Sequence, residues 1–206
     1  MADQTRHLVL IVDQSGSMEE LRADMEGGVA TFLAEQQEVP GTTLVTLVLF
    51  NSDVETDYEL RPLAEVPRLR LRPMGRTALL DAIGSTIRRV DRRAATGPAA
   101  EQPAETVYVI VTDGQENASR EFSGDVVRYL IGEQEARGAT FVYMAANQDA
   151  FAVARGLGIN PGTVLPYDTA ATEASMTSVG RAVARGSRTG DFTFTGAERE
   201  QATGTA

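Results

Sequence analysis

Apolar runs alternate with amphipathic stretches along this chain, and the alternation predicts a fold built from alternating strands and helices. The apolar or β-branched runs predict strands at residues 8–13, 43–50, 54–60, 106–113, 140–146 and 164–167. Apolar residues that recur every three or four positions predict helices at residues 18–37, 78–94, 123–137, 150–157 and 170–185. Apolar strands separated by amphipathic helices are typical of a mainly parallel sheet with helices on both faces.

Right-handed crossovers make such a sheet doubly wound, so we predict a Rossmann-like α/β fold with six strands. The polar segment 54–60 follows a turn and is predicted as one antiparallel edge strand. The strand order 3-2-1-4-5-6 would place the strands ending at Asp13 and Asp113 side by side. We expect one domain over residues 1–187 and a flexible tail over residues 188–206, which are rich in Gly, Thr and Glu.

The composition excludes several classes of function. The 206 residues carry a formal net charge of −10, which argues against binding to nucleic acid or to an anionic membrane. No apolar run approaches the roughly 18 residues that a membrane span requires, and no secretory signal is evident. All 19 basic residues are arginines and the chain has no cysteine, which excludes lysine- and thiol-based chemistry. We therefore expect a cytoplasmic protein.

Oxygen-bearing side chains follow two of the predicted strands at the point where each strand ends. Asp13, Ser15 and Ser17 alternate directly after the first strand, so that all three can face one point. Thr77 precedes the second helix, and Asp113 ends the fourth strand. Ligands bind beyond the carboxyl ends of strands in sheets of this type, and hard cations prefer oxygen ligands. The pattern predicts a metal site made of these five residues.

Each of the three motifs also has a purely structural explanation. Ser17 begins the sequence Ser17-Met18-Glu19-Glu20, which has the spacing of a helix capping box. Thr77 could be a plain N-cap, and Asp113 with the glycine after it could be a plain turn. A cap needs one hydroxyl, however, whereas here three alternating side chains and two further loops supply oxygens to the same edge. The combination favours the metal site.

The five residues resemble the metal-ion-dependent adhesion site of the von Willebrand factor A family, which has the pattern Asp-x-Ser-x-Ser, then Thr, then Asp. The resemblance implies that Ser15, Ser17 and Thr77 ligate Mg2+ directly, whereas Asp13 and Asp113 act directly or through water. It implies a stand-alone domain of bacterial type, with binding rather than catalysis as its activity. It also implies that an AAA-type ATPase is one class of partner.

The chemistry of the donor set points to the same kind of ligand. Mg2+ prefers six oxygens, and a set with only two carboxylates suits Mg2+ or Mn2+ better than Ca2+. At least one coordination position stays open, and nearby helix amino termini favour an anion, so we expect a protein partner to present Asp or Glu. We expect the partner-binding rim of this metal site to consist of Arg70, Arg72, Arg76, Glu116 and Asn117.

The alternative is a Mg2+-dependent phosphohydrolase or phosphotransferase. Such enzymes need a second carboxylate near the first, together with a cation for the phosphoryl group. Position 15 is Ser, and the only histidine, His7, begins a strand and so belongs to the opposite edge of the sheet. The chain has neither a Gly-x-Ser-x-Gly elbow nor a phosphate loop. We therefore predict that the protein is not an enzyme.

Overall fold

Six strands in the order β3-β2-β1-β4-β5-β6 form one mixed sheet in the computed structural model, which describes residues 5–97, 102–146 and 149–204. They are β1 (Thr5–Asp13), β2 (Thr42–Phe50), β3 (Val54–Pro62), β4 (Glu105–Thr112), β5 (Thr140–Ala145) and β6 (Val164–Pro166). β3 pairs with β2 in antiparallel fashion, and the other neighbours are parallel. The predicted strand order and the antiparallel edge strand are confirmed.

Helices cover both faces of this sheet. They are α1 (Arg22–Gln37), α2 (Leu79–Thr96), α3 (Gly124–Ala136), α4 (Ala150–Leu157), α5 (Thr172–Thr189) and α6 (Gly196–Thr203). Residues of α1 and α5 share a hydrophobic core with one face of the sheet, and residues of α2, α3 and α4 share a core with the other. The predicted doubly wound α/β fold is confirmed. Within the described ranges, no helix combines the length and apolarity needed to cross a membrane.

The central strand β1 is buried on both sides, which explains why its sequence shows an uninterrupted apolar run. Leu8, Leu10 and Val12 lie in the core beneath α1 and α5, whereas Val9 and Ile11 lie in the core beneath α2 and α3. Successive side chains of a strand point to opposite faces, so a strand covered on both faces requires apolar residues at every position. The same reasoning applies to β4 beside it.

The start of the first helix differs from the prediction. A 3-10 turn at Gly16–Glu19 precedes α1, which begins four residues later than predicted. Ser15 is the N-cap of this turn, Leu21 of α1 and Ala78 of α2. None of these residues makes a side-chain capping hydrogen bond. Neither Ser17 nor Thr77 caps a helix, so capping does not explain these two hydroxyls.

The segment after α5 packs against the domain, which corrects the predicted flexible tail for residues 188–204. Phe192 and Phe194 are buried in the core beneath α1 and α5. Thr195 and Glu198 then form a capping box that begins α6. Gly and Thr dominate the composition of this segment, but two buried aromatic side chains supply the apolar area that holds it in place. The predicted boundary at residue 187 falls inside α5.

The two edges of the sheet are covered in different ways. At the β6 edge, the Arg199 guanidinium of α6 donates a hydrogen bond to the carbonyl oxygen of Val164, so that α6 lies against this strand. At the other edge, no described strand pairs with the outer side of β3. Along β3, Glu55, Asp57 and Glu59 are exposed. One edge is therefore covered by a helix, and the other carries a row of acidic side chains.

Candidate metal centre

The carboxyl ends of β1 and β4 lie side by side, and the predicted site residues converge there. The Ser17 Oγ atom donates a hydrogen bond of 2.8 Å to Oδ1 of Asp113, although the two residues are 96 positions apart. The Oγ atoms of Ser15 and Ser17 are 3.2 Å apart. The Ser15 backbone N–H in turn donates to Oδ1 of Asp13 at 2.7 Å. The structure thus brings four of the five predicted residues into direct contact.

The hydroxyl of Thr77 reaches the same point from a third loop. A Cβ atom placed on Gly114 would lie 3.3 Å from Oγ1 of Thr77 and 3.8 Å from Oγ of Ser17. Both hydroxyls therefore border the α-carbon of Gly114, which directly follows Asp113 in the chain. Because glycine has no side chain, it leaves room for the two hydroxyls to approach each other. All five predicted residues meet at one place.

Asp13 is held as a buried carboxyl group beneath the hydroxyls. It is 0% exposed, and its Oδ2 atom accepts a hydrogen bond of 2.6 Å from Oγ1 of Thr112. Burial raises the pKa of Asp13 to about 6, the charge of Asp113 raises it further, and the hydrogen bonds from Thr112 and Ser15 oppose the shift. Sequence reasoning missed Thr112, although its place at the end of β4, level with Asp13 across the β1–β4 pair, could have indicated it.

Asp113 shares this environment. Its pKa is raised by burial, an effect that the hydrogen bond from Ser17 opposes. The described residues contain no group of three or more His, Cys, Asp or Glu side chains that could hold a metal ion. A cation at this edge would therefore find two carboxylates and otherwise hydroxyl oxygens. Two buried carboxylates whose ionised forms are disfavoured by their surroundings are groups that a divalent cation would stabilise.

The segment that leads into α2 is fastened to the β1–α1 loop by backbone contacts. The Gly16 N–H donates to the carbonyl oxygen of Gly75 at 3.2 Å, and the Met74 N–H donates to the carbonyl oxygen of Gln14 at 3.0 Å. The Gln14 side chain also accepts a hydrogen bond of 3.3 Å from the Arg72 N–H. These contacts fix the threonine of the site relative to its two serines.

Glu116, which we expected on the rim, stabilises its own loop through hydrogen bonds. Its carboxylate accepts hydrogen bonds of 2.7–2.9 Å from the backbone N–H groups of Leu80, Ala118 and Ser119 and from the hydroxyl of Ser119. The first of these donors lies in the first turn of α2, so Glu116 joins the β4–α3 loop to the start of that helix. The structure assigns it a positioning role.

Asn117 is exposed beside the site, and it forms hydrogen bonds with both the N–H and the carbonyl oxygen of Thr77. The Asn117 N–H donates to the Thr77 carbonyl oxygen, and the Asn117 Oδ1 atom accepts from the Thr77 N–H, both at 3.0 Å. The guanidinium of Arg76 donates to the Asn117 carbonyl oxygen. Asn117 and Arg76 therefore lie beside the site, and they hold its threonine in place.

The arginine strip, which we define as Arg68, Arg70, Arg72 and Arg76, lies on the surface next to the site. Leu69 and Leu71 alternate with it and are buried, which anchors the extended segment. The Arg70 guanidinium is 3.3 Å from a carboxylate oxygen of Glu26. Among the described residues, Arg68 and Arg72 form no ion pair. The strip therefore presents exposed positive charge beside the candidate metal centre.

His7 lies at the amino end of β1, at the opposite edge of the sheet from the site. It is buried, and its Nε2 atom is 2.8 Å from Oγ1 of Thr46. Burial lowers the pKa of His7 to about 4. The only histidine of the chain is therefore a neutral residue within the sheet and contributes nothing to the chemistry of the site.

The fold and the site together define a class of protein: a doubly wound α/β domain with an oxygen-rich candidate metal centre at the carboxyl edge of its sheet. The family model of the von Willebrand factor type A domain matches residues 7–180. The chain belongs to the von Willebrand factor type A domain family, as its motif predicted. Among curated proteins, none matches the chain.

Solved structures share the fold at low sequence identity. Proximal thread matrix protein 1 from the mussel byssus aligns with a TM-score of 0.66 and 14% identity, over 88% of this chain and 46% of that one. A von Willebrand factor type A protein from Catenulispora acidiphila aligns with a TM-score of 0.63 and 17% identity, over 87% and 42%. The ArnB paralog VWA2 from Sulfolobus acidocaldarius gives 0.57 and 18%, over 84% and 44%. The chain spans less than half the length of each.

Proposed function

We propose that this domain is a metal-dependent protein-interaction module with an intact metal-ion-dependent adhesion site. Its ligand set is Asp13, Ser15, Ser17, Thr77 and Asp113. The observation that carries the proposal is the convergence of these five oxygen-bearing side chains, from three separate loops, at one edge of the sheet. The hydroxyls of Ser17 and Thr77 do not cap helices, and the hydrogen bond that Ser17 donates to Asp113 leaves its oxygen lone pairs available to a cation.

The donor set fits Mg2+ or Mn2+. Both ions prefer oxygen ligands, and two carboxylates balance the charge of one divalent cation. The carboxylates of Asp13 and Asp113 are disfavoured as free anions by burial, so a cation would relieve a cost that the folded domain already carries. The bound ion would supply an electrophilic centre that attracts a carboxylate. Five side chains leave at least one of six positions for a ligand from outside.

The direction from which such a ligand arrives follows from the exposure of the site residues. Asp13, Ser15, Thr77 and Asp113 are buried, whereas Ser17 and the adjacent Arg76 are exposed. The side of Ser17 and the arginine strip is therefore open to a partner. An Asp or Glu side chain on the partner suits both the open position on the ion and the exposed guanidinium groups.

We further propose that the domain has no catalytic activity. The only histidine lies at the opposite edge of the sheet, Glu116 is held by four hydrogen bonds, and the chain contains no lysine. The site therefore has no histidine or lysine to act as a base or to bind a phosphoryl group, and Glu116 is not free to act as a base. Mg2+-dependent phosphoester turnover that is lost in Asp13→Asn would establish the phosphohydrolase alternative instead. An adaptor role toward an AAA-type ATPase in the cytoplasm stays a prediction from the family resemblance.

Removal of the metal is expected to release the partner. Immobilised protein should retain the partner from native cytosol in Mg2+, lose it in EDTA and regain it when excess Mg2+ is added back. Thr77→Ala should retain much less partner because it lacks one direct ligand, whereas Thr96→Ala, which alters an exposed hydroxyl at the far end of α2, should behave as wild type. A complex that survives both EDTA and Thr77→Ala would show that the partner docks elsewhere.

The arginine strip is expected to act on the rate of association. Arg72→Glu should slow association several-fold at low salt and leave dissociation nearly unchanged, because exposed charges steer encounters but add little to the bound complex. Arg93→Glu makes the same charge change on an exposed residue near the carboxyl end of α2 and serves as the control. Surface-binding kinetics in which the two variants associate equally fast would exclude steering by the strip.

A further inference from the structure

One buried polar atom beside the candidate metal centre has no explanation within the fold. Tyr167 is 5% exposed, and its hydroxyl has no hydrogen-bond partner among the described residues. Buried tyrosine hydroxyls nearly always find a partner, because an unpaired buried polar group costs free energy. The chain keeps a tyrosine where a phenylalanine would fill the same space without that cost.

The register of the strands places Tyr167 level with the site. In the parallel ladder Thr112 pairs with Ala145, and Ala145 pairs with Pro166. The next row along these strands therefore consists of Asp113, Ala146 and Tyr167. Two further hydrogen bonds continue the ladder at this level, because the Ala146 N–H donates to Thr112 at 3.2 Å and the Tyr167 N–H donates to Ala145 at 3.1 Å.

The side chains of this row lie on the same face of the sheet. Val111, Ala146 and Tyr167 all belong to the core beneath α1 and α5. Asp113 directly follows β4, two positions after Val111, and continuation of the alternation along the strand directs its side chain to that face. Ala146, which carries only a methyl group, lies between Asp113 and Tyr167 in this row. Their backbones are two strand spacings apart, about 10 Å.

The electrostatics agree with this placement. Burial raises the pKa of Tyr167 well above its usual range, and the negative charges of Asp113 and Asp13 raise it further. The phenol is therefore protonated at any physiological pH, so it is available as a hydrogen-bond donor. It lies within the field of both carboxylates of the candidate metal centre.

We infer that Tyr167 is a positioning residue of the metal centre, whose hydroxyl donates a hydrogen bond to a water molecule held beside Asp113 in the metal-bound protein. The inference rests on the proposed function. Mg2+ commonly keeps water ligands, and groups that bind the ligands of a metal from outside fix their orientation. The hydroxyl would then be unpaired in the metal-free domain and satisfied in the metal-bound domain.

Tyr167→Phe tests this inference because stability and metal affinity should respond differently. In EDTA the variant should melt at the same temperature as wild type or at a higher one, since it loses only an unpaired hydroxyl. Its dissociation constant for Mn2+, measured by calorimetry, should rise about tenfold. Tyr108→Phe is the matched control: its hydroxyl contacts Gln134 Oε1 at 3.4 Å in the opposite core, so it should not alter Mn2+ affinity.

Two results would overturn the inference. Unchanged Mn2+ affinity in Tyr167→Phe would show that the hydroxyl does not serve the metal. A lower melting temperature in EDTA would show that the hydroxyl already has a partner in the metal-free domain. Failure of the proposed function looks different, because wild type itself would then bind no Mn2+. If wild type binds Mn2+ and Tyr167→Phe binds it equally well, only the role of Tyr167 is lost.

Discussion

Asp13→Ala is expected to abolish Mn2+ binding while leaving a folded domain. The variant removes one of the two carboxylates, and a divalent ion would then face a single compensating charge. The fold should survive because the change lies at the end of β1, and Thr112, which loses an acceptor, also contacts the backbone of Gly114. Calorimetric titration with Mn2+, together with circular dichroism, measures both properties on the same samples.

Asp13→Asn is the sharper variant of the same test, because it keeps the size of the side chain and an oxygen that can accept a hydrogen bond. It removes the negative charge and replaces one of the two accepting oxygens with an amide donor. Asp53→Ala, which alters an exposed carboxylate at the β2–β3 turn, is the matched control and should bind Mn2+ as wild type does. Wild-type affinity in a folded Asp13→Asn protein would refute the assignment of the metal centre to this edge of the sheet.

In EDTA, the free energy of unfolding is expected to fall by about 3 kcal/mol as the pH rises from about 4 to above 6. The pKa of Asp13 is about 6 in the folded domain, against an ordinary value of 3.8. Between these values the folded domain holds a proton that the unfolded chain has lost, so stability declines as the pH rises. The difference, at 1.36 kcal/mol per pKa unit, is about 3 kcal/mol. Asp113 is shifted in the same direction.

Urea denaturation over this pH range measures the effect, and Asp13→Asn isolates it. Other groups respond in the opposite sense: the pKa of Glu198 is lowered through its contacts with Arg185 and Thr195 against the effect of burial, so its contribution is lost as the pH falls. The difference between wild type and Asp13→Asn removes such contributions. Saturating Mg2+ should abolish the decline in wild type. Identical pH slopes for the two proteins would show that the pKa of Asp13 is not raised in the folded domain.

The fold could be predicted from the sequence because parallel strands buried on both faces need apolar residues at every position. β1 and β4 meet that requirement; β1 ends in Asp13, and Asp113 directly follows β4, at the edge where ligands bind. The five candidate ligands could also be named, since each sits in a short local pattern at the end of a strand or before a helix. Such patterns are visible without knowledge of any distant contact.

The positioning roles of the surrounding residues could not be predicted in this way. Thr112, Glu116 and Asn117 reach Asp13, Leu80 and Thr77, which lie 99, 36 and 40 positions away, and Glu116 and Asn117 were expected only on the rim. The segment after α5 was mistaken for a tail because its average composition is polar. Phe192 and Phe194 decide its packing, and an average over the segment hides two buried side chains.

The unequal edges of the sheet bear on how the protein avoids aggregation. An open strand edge can pair with the edge of another molecule unless charge or a covering element prevents it. Two copies that met along β3 would bring Glu55, Asp57 and Glu59 against one another, and the repulsion would oppose pairing. β6 is the short apolar sequence Val164–Pro166 and has no such charges. α6 covers this edge instead, so a chain cut at residue 187 would leave the β6 edge open to pair with another molecule.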